Sequence, residues 1–288
     1  INTVVWSGAE LYRTEARNAG TMEHYGHGTP DDWIERNVYV PYSWQGVGLM
    51  LAIDLVLFGA FTRLTDSGLG CPDWPGCYGS ASPLGARHEI QVAQTDLPSG
   101  PVTHGKAWIE MIHRYLATGV GVLISVLALA SWLEHRRGRR LGNAAAVSPW
   151  WATATLVWVC VQGAFGALTV TMKLYPAIVT AHLLGGVALL ALLAAQAQGY
   201  VRAPLPLSRG LTAATLGVLG LCWLQTALGG WVSTNYAVLA CTDFPACQGS
   251  WWPEMDFGNG FALRRELGET GAGDWLPFAA LTAIHYVH

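Results

Sequence analysis

Long apolar stretches recur along the chain near residues 44–62, 108–133, 150–171, 176–199 and 211–232, and a further one begins near Trp275. Each complete stretch is close to the ~20 residues that a helix needs to cross the hydrocarbon of a bilayer. Inside lipid a backbone must satisfy its own hydrogen bonds, which long apolar segments of this kind do as helices. The pattern predicts an all-α integral membrane protein of about six spans, the last one incomplete. Composition agrees: only 12% of residues are charged, 52% are hydrophobic and the mean hydropathy is positive. A soluble chain of this length carries about twice that charged fraction.

Between the spans lies a repeat. Residues 71–77 read Cys-Pro-Asp-Trp-Pro-Gly-Cys, and residues 241–247 read Cys-Thr-Asp-Phe-Pro-Ala-Cys. The offset is constant (241 − 71 = 170), so Asp73 matches Asp243, Pro75 matches Pro245, and Gly79-Ser80 matches Gly249-Ser250. A repeat embedded in an apolar chain marks a duplicated membrane unit. It predicts a first four-helix unit over 43–200 and a second, truncated unit over 201–288, after a polar segment at 1–42 with no signal-peptide pattern. If the second unit mirrors the first, two spans are missing at its end.

Charge sets an orientation. Arg136, Arg137, Arg139 and Arg140 crowd the loop after the second span, and Arg202 and Arg209 follow the fourth. By the positive-inside rule these loops face the cytoplasm, which puts the cysteine loops on the outer side. Disulfides persist there, and Cys71–Cys77 and Cys241–Cys247 read as two local bridges. The rival reading is a zinc site, but such sites favour a shorter C-x-x-C spacing than this five-residue gap. Cys160 and Cys222 fall within separate spans as packing residues.

The segment Glu23-His24-Tyr25-Gly26-His27-Gly28-Thr29-Pro30-Asp31-Asp32-Trp33-Ile34-Glu35-Arg36 resembles part of the bacterial membrane fatty-acid desaturases, and the likeness runs on to about Ala60. Those enzymes bind two irons through H-x-x-H-H boxes, and no such box occurs in this chain. Residues 1 to about 60 therefore read as foreign to the remainder. Asp54, an expensive carboxylate within a span, fits an imported segment or a functional group facing the bundle interior.

The sharpest constellation is Trp108-Ile109-Glu110-Met111-Ile112-His113-Arg114-Tyr115. Glu110 and His113 stand three apart, on one helix face, near the predicted outer end of a span, where ionisable groups are costly unless they serve a site. His182, in Thr180-Ala181-His182-Leu183-Leu184-Gly185-Gly186, sits at matching depth in the fourth span. Two neutral imidazoles on facing helices suit a bis-histidine haem iron, with small residues leaving room for the macrocycle. Superposing the repeats puts His288 on His113 and His285 on Glu110. The second unit thus keeps the ligand and replaces the carboxylate. Arg63, where the first span meets the loop, is placed either to pair with haem propionates or to snorkel. His104 lies near a span's mouth, His88 and His135 read as solvated, and Gln162 and Gln225 as hydrogen bonders between helices.

Together Arg63-Leu64-Thr65-Asp66-Ser67-Gly68-Leu69-Gly70-Cys71-Pro72-Asp73-Trp74-Pro75-Gly76-Cys77, the Trp108–Tyr115 motif and Thr180-Ala181-His182 resemble the bacterial haem A synthases, over roughly residues 61–288. The resemblance implies an inner-membrane enzyme of two four-helix units that oxidises a methyl group of haem O to the formyl group of haem A, for cytochrome oxidase assembly. It implies Glu110 as catalytic carboxylate, His113 and His182 as ligands of the substrate haem iron, and His288 as a ligand of a haem b. It further implies haem O synthase and an electron donor as partners, membrane lipid as surroundings, and no nucleic acid. The alternatives are a bis-histidine haem b electron carrier, a diiron desaturase, and an inactive fragment of a haem A synthase.

Overall fold

The computed structural model describes residues 40–141, 148–199 and 207–288. The polar segment up to residue 39, with His24 and His27, and Arg202 lie outside the described residues. Five long helices carry the apolar stretches: α1 (Val40–Leu64), α3 (His104–Leu141), α4 (Pro149–Thr171), α5 (Pro176–Gly199) and α6 (Arg209–Thr234). All five are long and apolar enough to cross a membrane. Short helices α2 (Arg87–Asp96), α7 (Phe257–Gly260) and α8 (Phe278–Val287) sit around the loops, with α8 the predicted last, incomplete span. This is the all-helical membrane architecture that the hydrophobic pattern predicts.

The chain clusters into two compact units that cut across the helices rather than between the repeats. Among the described residues, one takes 40–57, 116–141, 148–160 and 188–199, and the other takes 58–115, 161–187 and 207–288. The first, here the helix unit, is packed around Ala52, Val120, Ile124, Leu189 and Leu193. Its buried polar groups are mutually satisfied: Gln196 Nε2 donates to the Thr155 hydroxyl and to the Trp151 carbonyl. Asp54 is exposed on α1. Cys160 and Cys222 are free and exposed on their helices, which corrects the expectation that they are packing residues.

The second, the loop unit, holds both cysteine loops. Cys71–Cys77 and Cys241–Cys247 are disulfides, with Cα atoms 4.9 and 4.8 Å apart. Each loop closes in a two-residue hairpin: Cys77 pairs with Ser80, and Cys247 with Ser250. Both central residues of each hairpin have positive φ, 48° and 74° at Tyr78-Gly79 and 55° and 72° at Gln248-Gly249. That is a primed turn, which selects glycine at its second central position. The turn leaves two amides unmatched, and one aspartate takes both. Asp73 accepts from Tyr78 N at 2.6 Å and Gly79 N at 2.7 Å, and Asp243 accepts from Gln248 N at 2.7 Å and Gly249 N at 2.9 Å. The sequence repeat is thus a repeat of turn chemistry. Ile90 of α2 packs on the first loop together with Cys71, Cys77, Ala107 and Met111.

Equivalent positions of the two copies also touch each other. Arg63 donates to the Ser233 carbonyl, and the Tyr236 hydroxyl donates to Asp66 at 2.5 Å; both pairs are 170 residues apart, the spacing of the repeat. Contact between equivalent positions is what packing about a local two-fold produces. Lys106 stands 3.3 Å from Asp66, and the Arg63 guanidinium lies 4.2 Å from the centre of the Tyr236 ring. Burial alone would raise the Asp66 pKa, but the Tyr236 hydroxyl, Lys106 and Arg63 together hold it below its ordinary 3.8. Burial, then the bond to Asp66, raises the Tyr236 pKa above its ordinary 10.0.

These shifts fix a pH window. A lowered carboxyl contributes stability above 3.8 that is lost as pH falls through its folded value, and a raised phenol contributes stability below 10.0 that is lost as pH rises through its folded value. Tyr236→Phe should therefore lower the thermal midpoint most between about 3.8 and 10.0, with the gap from wild type closing outside that window. A midpoint difference that stays constant into strong acid would remove the assigned role of the bond.

Candidate functional site

The first turns of α3 carry Glu110, His113 and Arg114, and the first cysteine loop lies over them. Glu110 is 4% exposed. Its Oε2 accepts from the Cys71 amide at 2.7 Å, and its Oε1 accepts from Arg114 Nη2 at 2.5 Å. Arg114 also donates to loop carbonyls, at 2.8 Å to Asp73, 3.2 Å to Pro75, 2.5 Å to Gly76 and 3.3 Å to Cys71. A buried carboxylate is tolerable only when paired and hydrogen-bonded, and here it is both. The loop approaches α3 closely because Gly70 has no side chain; a methyl group there would stand 2.5 Å from the Lys106 carbonyl oxygen. Glu110 keeps free lone pairs after its two bonds, so it can still accept a proton or a further donor.

His113 lies on the same helix face and stacks on Phe58 of α1, with ring centres 6.5 Å apart and planes 9° from parallel. Its Nε2 points at Gly59, where a methyl group would stand only 2.9 Å away. His182 of α5 lies against α4, where a methyl group on Gly166 would come within 3.4 Å of its Cε1. Its Nδ1 is buried without a hydrogen-bond partner. The two imidazoles belong to the same unit. Two partly buried imidazoles of one unit, each beside a glycine, are the kind of donor set that a porphyrin iron takes.

The second copy repeats the frame with one change. His288, at the end of α8, points Nε2 at Gly229, where a methyl group would stand 3.0 Å away. Gly229 is Gly59 displaced by the repeat (229 − 59 = 170), so each copy sets a glycine on its first helix opposite a histidine on its second. The Gln225 side chain donates to the His288 carbonyl at 3.3 Å. At the position of Glu110 stands His285, whose Nδ1 is 3.4 Å from the Cys241 amide and 2.9 Å from the Ala237 carbonyl oxygen. One imidazole nitrogen serves one of those contacts at a time, according to tautomer, whereas a carboxylate takes both of its donors at once.

Arg63 is engaged by Ser233, Tyr236 and Asp66. His104, His88, Arg87, Gln91 and Trp108 line a surface groove between α2 and the start of α3. His135 stands edge-on to Trp132 in the helix unit. Gln162 is buried, with its side chain pressed on Gly185. Sequence reasoning missed the contribution of Gly59, Gly166 and Gly229, although the 170-residue offset between the first and last of these was a usable signal. It also underrated Arg114, which clamps the loop as well as Glu110.

The sequence pattern of the cytochrome oxidase assembly proteins matches residues 42–288. A haem A synthase of Shewanella oneidensis is 37% identical over 252 residues, which cover 84% of this chain and 72% of that protein. One from Halalkalibacterium halodurans is 28% identical over 232 residues, 77% of this chain and 68% of the relative. One from Bacillus cereus is 26% identical over 254 residues, 85% and 74%. No solved structure matches. Because the match begins at residue 42, the first span belongs with the rest of the chain, and the foreign segment expected up to about residue 60 is corrected there.

Glycine geometry yields a test. Gly59→Ala forces the His113 ring aside, a clash of about 1–3 kcal/mol, or roughly five- to a hundredfold in occupancy by an added iron porphyrin. Gly163→Ala, with nothing within 4 Å, should leave the bis-imidazole absorption bands unchanged. Equal spectra from the two variants would separate Gly59 from the site.

Proposed function

The chain belongs to the cytochrome oxidase assembly protein family, and from that premise we propose how its loop unit carries out the work of a haem A synthase. The protein is a membrane oxidoreductase acting on haem O. Successive hydroxylations convert one methyl group of haem O to the formyl group of haem A.

In this reading His113 and His182 hold the substrate iron, and their helices fix where the porphyrin edge lies. Glu110 is the acid–base group. It is held by the Cys71 amide and Arg114 at the mouth of the helix, one turn from His113, so a proton leaving the substrate has an acceptor whose position is set. His288 would hold a haem b in the second copy, a cofactor that supplies a one-electron redox centre when bound. Arg63 braces the two copies at their contact, beside any propionate that reaches it.

The observation that carries the division of labour is the residue at the equivalent amide. The Cys71 amide meets a carboxylate, while the Cys241 amide meets an imidazole. Only the first copy can hold an anionic base there, so chemistry belongs to the first copy and electron handling to the second. By the positive-inside rule, Arg136, Arg137, Arg139 and Arg140 favour the bacterial cytoplasm for that end of α3 and the periplasmic face for the cysteine loops. Haem O synthase and a membrane electron donor are the partners this reaction requires.

Purification from membranes of cells that make haem O, followed by mass analysis of extracted haems, tests the assignment. Wild type should yield haem A, and Glu110→Gln should yield haem O with at least about a hundredfold less haem A. Haem A at wild-type levels from the variant would end the catalytic role of Glu110. A protein that binds haem but gives no haem A with either residue would favour the electron carrier.

A further inference from the structure

Arg265 lies in the loop between α7 and α8 and is only 3% exposed. Its Nη2 donates to Asn235 Oδ1 at 2.6 Å and to the Gly260 carbonyl at 3.4 Å. Its Nε and Nη1 are buried with no hydrogen-bond partner. Among the described residues no carboxylate forms an ion pair with it. Its nearest aromatic neighbour is Trp231, with the guanidinium carbon 5.6 Å from the ring, and Trp231 is itself fixed by a bond to Gly260. Asn235 is locked in turn to the Trp231 carbonyl at 2.8 Å. The guanidinium therefore has a rigid seat, a full positive charge, and three N–H bonds on two nitrogens that point at no protein acceptor. Burial pushes its pKa below the ordinary guanidinium range, against an opposing influence from Tyr175. A buried charge of this kind is costly unless an anion meets it.

We propose that Arg265 is the cationic wall of an anion site in the loop unit, and that the anion it takes is a propionate carboxylate of a bound porphyrin. The proposal rests on the haem-binding reading above. The shared chemistry, an oxyanion accepting from a guanidinium, would also suit a lipid phosphate. The porphyrin is favoured because Arg265 is closed off from the surface, so its anion must come from within the unit. Tyr175 directly precedes α5, whose Ala177 packs against the cluster that includes Trp231, and His182 follows Tyr175 by seven residues. At 1.5 Å of rise per residue that is about 10 Å along the helix, a reach comparable to a porphyrin's half-width with its propionate arm. A ring bound through its iron at His182 would bring a carboxylate toward this end of α5.

The test compares haemin with its dimethyl ester, which keeps the iron and ring and removes both negative charges. Wild type and Arg265→Gln are produced in haem-deficient cells and titrated in neutral phosphatidylcholine nanodiscs by the Soret band. Wild type should prefer haemin by roughly tenfold or more. Arg265→Gln should lose most of that preference by weakening haemin alone, and Arg265→Lys should restore part of it, which also controls for folding. An unchanged preference in Arg265→Gln overturns the proposal while leaving haem binding intact. A preference indifferent to Arg265, with phosphatidylglycerol raising the thermal midpoint of wild type but not of Arg265→Gln, makes the anion a lipid phosphate and likewise overturns it. If wild type binds neither compound, the haem reading itself has failed, and this proposal with it.

Discussion

A carboxylate at the end of an apolar helix is stable only where donors and a cation meet it, and that constraint organises the loop unit. Glu110 takes the Cys71 amide on one oxygen and Arg114 on the other. Arg114 then reaches four loop carbonyls, so the cost of holding one negative charge is offset by fixing the whole cysteine loop. The hairpin, the disulfide and the Asp73 bonds give that loop a single shape, without which the Cys71 amide would not be aimed at the carboxylate. Loop and base are one structural unit, and disturbing either displaces both.

The second copy shows what changes when the charge is absent. Its loop has the same turn and disulfide, yet the group at the equivalent amide is His285. The loop is fastened instead by Gln248, whose side chain donates to the Ala240 carbonyl at 2.9 Å and the Thr282 hydroxyl at 3.0 Å. Neutral hydrogen bonds replace an ion pair. The tyrosines show the same freedom: Tyr115 and Tyr286 donate to the carbonyls of Ala81 and Trp251, again 170 residues apart (251 − 81), each at 2.6 Å. Yet Tyr115 follows its histidine by two residues, and Tyr286 precedes His288 by two. The carbonyl to be satisfied is common to both copies, and the side chain that satisfies it is not.

Much of this was legible in the chain. Spans followed from length and hydropathy, because a helix in lipid has few alternatives. The disulfides and the His113–His288 correspondence followed from the repeat. What the sequence hid were close approaches. Gly59, Gly166 and Gly229 look like many other small residues in membrane helices, and only packing shows that their missing side chains make room for imidazoles. Arg63 illustrates the opposite difficulty. Its position between span and loop suited a propionate partner, but the contact between repeat copies claims it for Ser233, Tyr236 and Asp66. A pairing between equivalent positions of a repeat cannot be read from either copy alone. The boundary at residue 60 failed for a related reason, since a resemblance confined to one short segment outweighed a span that packs with the rest of its unit through Ala52.

Arg114, partly buried, and Arg265, fully buried, make the asymmetry electrical as well as chemical. Arg114 is balanced by Glu110, so the first copy is neutral at that point without any ligand. Arg265 is surrounded by Asn235, Gly260 and Trp231, all of them neutral. A fold that spends a carboxylate on one arginine and none on the other treats the two differently. The first arginine serves a base that must remain in place through a reaction. The second has a seat built by rigid neutral neighbours and a charge that no carboxylate among the described residues cancels.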